Sequence, residues 1–149
     1  MTEALRDSVA DEIETALDAA AMPWGRRGDD WVIPAGEGMP RELRIRIEDG
    51  ARVEAALLEW DEITDESHEA LAVFLTLAGP GLRGCRGEID ERSARLVARV
   101  SVGDMETRLV AVLRGMTAGC RGTAREARAL LTPALAGAYL DFHRGTGTE

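Results

Sequence analysis

The chain has 149 residues, 45% of them hydrophobic, which is the composition of one globular domain with a core of ordinary size rather than of a disordered chain. Its net charge of −9 argues against a phosphate backbone as main partner. All 18 basic residues are arginine, which excludes Schiff bases, Ser-Lys pairs and a phosphate-cradling loop with its lysine. No apolar run approaches a membrane span, and the first twenty residues are acidic and amphipathic rather than an export signal, so a cytoplasmic protein with reduced Cys85 and Cys120 is expected.

In chain order, Leu5, Val9, Ile13 and Leu17 recur every four residues, with Ala16 and Ala20 beside them, which predicts a helix over 3–22. Thr2 is its N-cap, and Met22-Pro23 ends it, because a residue before proline avoids the helical region. Trp24 to Trp31 is a Gly- and Asp-rich turn feeding a short strand, Trp31-Val32-Ile33, and the two tryptophans are expected to pack at the core or its edge. Pro34 to Pro40 reads as a linker. Leu43 to Glu48 then alternates apolar and charged residues, Asp49-Gly50 supplies a tight turn, and the chain returns through Trp60. That pattern predicts a β-hairpin.

Thr64 or Asp65 caps a second helix with Leu71, Phe74, Leu75 and Ala78 on its apolar side, stopped by Gly79-Pro80-Gly81. Cys85 to Asp90 and Arg95 to Val102 form a second hairpin about Glu91-Arg92-Ser93. Its faces are Leu96, Ala98, Val100 and Val102 on one side and Arg95, Val97, Arg99 and Ser101 on the other. Gly103-Asp104 caps a third helix with Met105, Leu109, Val112, Leu113 and Met116 on its stripe. Gly119 is a natural stop, and Thr123-x-x-Glu126 has the form of a capping box for a last helix. That helix would bury Ala127, Leu130, Leu131, Ala134, Leu135, Ala138, Tyr139 and Phe142, with Pro133 bending it or displacing its start. The fold class is α+β, an antiparallel sheet with helices packed on one face in the order α-β-β-β-α-β-β-α(α). Residues 1–144 make one domain and 145–149 a disordered tail.

Acid is concentrated in residues 1–22, which hold six acids against Arg6, and in 48–70, which hold nine against Arg52. Asp61, Glu62, Asp65, Glu66 and His68 match neither a calcium-loop nor a two-histidine zinc spacing, so no metal or other cofactor is expected. No Gly-x-Ser-x-Gly elbow occurs. The anomaly lies on the sheet. If Val53, Ala55 and Leu57 face the helices, strict alternation puts Leu58 and Trp60 on the outer face with Arg44, Arg46, Arg95, Val97 and Arg99. An apolar patch framed by arginines there predicts contact with a partner polypeptide or a second protomer; the alternatives are that a loop such as 34–42 covers it or that a bulge rotates Trp60 inward.

The order of these elements resembles the type III secretion chaperone-like fold, and within it the YbjN-like branch. The stretches that carry the resemblance are Trp31-Val32-Ile33, Leu43 to Trp60, Cys85 to Val102 and Glu126-Ala127-Arg128-Ala129-Leu130-Leu131. It implies a small acidic homodimer that binds polypeptides without catalysis, in a chaperone-like or regulatory role. The alternative is a small metal- or thiol-dependent enzyme using His68 with nearby acids or a cysteine.

Overall fold

The computed structural model describes residues 2–36, 41–78 and 85–147; part of the 34–40 linker and the whole of Gly79-Pro80-Gly81 lie outside them. Helix α1 (Glu3–Ala19) starts as expected, with the Thr2 hydroxyl accepting the Leu5 amide at 3.2 Å. It ends short of residue 22, because Ala21 adopts a left-handed φ of 55° and turns the chain before the proline is reached. Strands β1 (Gly25–Arg27) and β2 (Asp30–Pro34) form the small hairpin between the tryptophans. Strands β3 (Glu42–Ile47) and β4 (Ala51–Glu59) form the central one, followed by α2 (Asp65–Ala78). Strands β5 (Cys85–Ile89) and β6 (Ser93–Val100) complete a six-stranded antiparallel sheet in the order β1-β2-β3-β4-β6-β5. Helices α3 (Met105–Ala129) and α4 (Pro133–Gly147) close the chain.

The period of two in the strands builds a one-sided core. Leu43, Ile45 and Ile47 lie opposite Ala55, Val53 and Ala51, which lie opposite Leu96, Ala98 and Val100 on β6, and all nine are buried. Helices α1 and α3 pack against this apolar face over β3, β4 and β6, while α2 packs on β5 with α4 against it. The predicted α+β class with helices on one face is therefore the architecture found. Two glycines permit the close approaches. At Gly50 φ is +117° and an added Cβ would stand 2.5 Å from the Val100 carbonyl oxygen; at Gly87 it would stand 2.5 Å from the Leu75 Cβ, where α2 crosses β5.

Two expectations for the C-terminal third are corrected. Gly119 does not stop a helix: α3 runs through it, because Met105, Leu109, Leu113, Met116, Cys120, Ala124 and Ala127 continue one buried stripe. Burial along that stripe outweighs the roughly 1 kcal/mol that a helical glycine costs. Thr123 bonds back to the Gly119 carbonyl instead of capping. The break falls at residues 130–132, and Pro133 opens α4, a position where its missing N–H costs nothing. Restarting there rotates the buried face, so Ala136 and Leu140 are buried while Ala134, Leu135, Ala138 and Phe142 are exposed. Helix α4 also continues to Gly147, past the expected start of a tail at residue 145.

Candidate functional site

The outer face of the sheet holds the predicted arginines, but it is an ionic lattice and not an apolar patch. Asp30, buried at the start of β2, accepts from Arg46 Nε at 2.9 Å and Nη2 at 3.1 Å, with Arg44 at 3.8 Å. The Arg46 hydrogen bond holds the Asp30 carboxyl below its usual range against the opposing effect of burial. Arg52 binds Glu54 and Glu88, both at 2.7 Å. Burial by itself would raise Glu88, but the bond from Arg52 and the charges of Arg52, Arg86 and Arg95 lower it. Arg95 reaches Asp90 at 2.8 Å, and Arg99 reaches Glu48 at 3.4 Å. Val97 is 1% exposed on this face. The register sets it between Glu54 and Arg86, with Arg95 and Arg99 two residues away along the strand, and these long side chains cover it.

Leu58 and Trp60 are not on that face. The register shifts between Ala56 and Leu58, so Leu58 pairs with Ala94, an inward residue, and is 3% exposed. One extra residue at a β-bulge flips every side chain beyond it, which overturns the strict alternation. Trp60 turns with it. Its indole donates to the Glu91 carbonyl at 2.7 Å, and its ring meets His68 edge-on at 6.4 Å. The structure thus keeps Arg44, Arg46, Arg95, Val97 and Arg99 together and separates Leu58 and Trp60 from them.

The residues named for the alternative chemistry are engaged in the fold. His68 Nε2 lies 3.1 Å from the Asp90 carbonyl oxygen, and the Asp90 carboxylate binds Arg95, the Arg92 and Ser93 amides and the Ser93 hydroxyl. A shallow cleft beside Trp60 is lined largely by these same turn residues. Among the described residues no three His, Cys, Asp or Glu side chains gather as metal ligands would. Burial raises both thiols, Cys120 to about 12, so neither is a thiolate at neutral pH. Trp31 is core, its indole donating to Glu14 at 3.2 Å, and Trp24 bonds Asp18 at the edge.

The bulge builds a different feature. It makes Leu57 and Leu58 successive buried residues at the end of β4. They lie beneath a groove of about 750 Å³ between β4 and the α3–α4 junction, lined also by Arg41, Glu42, Glu59, Arg128, Leu131 and Thr132. A narrower extension of about 330 Å³ shares Arg41, Leu57, Leu58 and Arg128 and adds Arg121, Ala124 and Arg125. On the continuous α3, Arg114, Arg121, Arg125 and Arg128 fall at steps of seven, four and three, which is a single face. Arg121 donates to the Ala35 carbonyl at 3.0 Å; Arg41, Arg125 and Arg128 have no ion pair among the described residues. Four arginines thus gather at the narrow end of the groove in a chain of net charge −9, while Glu42 and Glu59 line its wider part. Local sequence pattern does not announce this groove, because a helix break expected at Gly119 divides the arginine stripe.

No family model matches the sequence, and no curated protein matches it. Among solved structures the chain is similar to YbjN from E. coli, described as a candidate transcription regulator. The TM-score is 0.59 at 12% identity, over 78% of this chain and 92% of that one. The chain has a YbjN-like fold, as the resemblance implied. At that identity the likeness carries the architecture and no site residue.

Proposed function

We propose that this protein is a non-catalytic regulatory protein that acts by binding another polypeptide in the groove beside the β4 bulge. The observation that carries the proposal is a groove beside Leu131 that holds Arg41, Arg125 and Arg128, which have no ion pair among the described residues, whereas the arginines of the outer sheet face are neutralised within the molecule. Unsatisfied guanidinium groups around apolar surface are what a binding site offers, since a partner supplies both the missing acceptors and the missing contact area. The regulator description of the YbjN structure agrees with this role. A chaperone-like and a regulatory protein would differ only in the fate of the bound chain. The site works in a reducing cytoplasm, where Cys85 and Cys120 stay as thiols.

The protein acts as a homodimer. Support for that comes from large apolar side chains left exposed on two helices, Leu77 at 55% on α2 and Leu135 at 51% on α4. Light scattering should show twice the chain mass, reduced to one by Leu135→Glu. The binding role is tested by selecting a random peptide library on the protein and on Thr132→Trp, an exposed lining position whose enlargement narrows the groove, with an unchanged circular dichroism spectrum. Peptides enriched on the first and lost on the second support it. Equal enrichment on both, or none on either, rejects it.

A further inference from the structure

We infer that the groove takes an acidic, leucine-bearing segment in extended conformation, read by its carboxylates against Arg121, Arg125 and Arg128 and by its apolar side chains against the half-buried Leu131 and the aliphatic stems of these arginines. This rests on the polypeptide-binding role proposed above and adds the chemistry of the ligand. The first argument is charge. Among the described residues the groove extension is lined by four arginines and no acid, in a protein whose net charge is −9, and Glu42 and Glu59 line only the wider part of the groove. A cationic ligand would be repelled there, and a long polyanion such as nucleic acid would be repelled by the rest of the surface.

The second argument is spacing. Arg121 and Arg125 are separated by about 6 Å along the helix axis. Every second residue of an extended segment advances about 6.6 Å and points the same way. Carboxylates at alternate positions therefore meet successive arginines of α3, while the intervening side chains turn toward the apolar lining. The third argument is the apolar lining, which is aliphatic: Leu131, above the buried Leu57 and Leu58, offers no aromatic ring on which a base could stack. Guanidinium forks also favour carboxylates, which they can bind through two parallel hydrogen bonds.

The test uses fluorescein-labelled synthetic peptides read by anisotropy on the full chain. One alternates Glu with Leu, one is the same with Gln in place of Glu, and one is oligoglutamate without Leu. The Glu-Leu peptide should bind about tenfold more tightly than either control, and its affinity should fall several-fold between about 50 and about 300 mM sodium chloride. Arg125→Ala with Arg128→Ala should abolish the preference, with an unchanged circular dichroism spectrum, since both arginines are exposed on the helix. If the Gln-Leu peptide binds within about twofold of the Glu-Leu one, the groove takes polypeptides without reading charge; the ligand assignment then fails while the binding role stands. A single-stranded oligonucleotide competing as well as the Glu-Leu peptide would overturn it in favour of nucleic acid. Loss of self-association in the double variant, read by light scattering, would assign the groove to the acidic α1 of a second copy and overturn it as well.

Discussion

Replacing Leu58 by alanine separates the bulged strand from a regularly alternating one. On a regular strand Leu58 would stand on the outer face, and its truncation would change stability by less than about 0.5 kcal/mol, as surface substitutions do. In the structure the side chain is 3% exposed, belongs to the main core cluster and lies opposite Ala94. Removing three carbon atoms from such a site costs the transfer free energy of those atoms and the cavity left behind, in the range of about 2–5 kcal/mol. Its position beneath the groove lets neighbours and water relax into part of the space, so a loss of about 3 kcal/mol is expected. For a chain of this size that is about 9 °C in melting temperature. Urea unfolding of both proteins measures it, with an unchanged slope showing that stability alone has moved. A loss below about 0.5 kcal/mol would return Leu58 to the outer face and remove the bulge from the argument.

Asp30 gives a pH dependence of defined sign. Its folded carboxyl lies below the ordinary 3.8, chiefly through the Arg46 hydrogen bond. Its stabilisation is therefore full above the unfolded value and lost as pH falls through the folded one. Asp30→Asn should cost about 2 kcal/mol at neutral pH, with the gap to wild type closing below about pH 3.8; a gap unchanged from pH 7 to pH 3 in urea titrations would contradict this. The Ser67 hydroxyl is fully buried on α2 with no hydrogen-bond partner among the described residues, so Ser67→Ala should stabilise by about 0.5–1 kcal/mol, and a lower melting temperature would contradict this. Gly87→Ala sets a Cβ 2.5 Å from that of Leu75 and 3.1 Å from the Leu75 carbonyl oxygen. Backbone must then move, and a loss of about 1–3 kcal/mol is expected by calorimetry; no loss would mean that α2 sits farther from β5.

Local pattern determined most of this architecture. The alternation in Leu43–Glu48 and Arg95–Val100 specified which residues face the helices, because a period of two admits only two faces, and the cap at Thr2 marked the start of α1. The α+β class followed from the order of those periods. Tertiary structure decided three things that local pattern does not contain. The bulge after Ala56 depends on how β4 meets β6, and it carried Leu58 and Trp60 away from the arginines they were expected to join. The outer face needed no apolar cover, because Asp30, Glu54 and Glu88 arrive from three different strands to neutralise its arginines. The passage of α3 through Gly119 is settled by burial against β4 and β6, a gain that a propensity argument cannot see. That passage aligns Arg121, Arg125 and Arg128 on one face, and the bulge sets Leu57 and Leu58 beneath them. The groove exists only where two elements distant in sequence meet, which is why neither element's own pattern announces it.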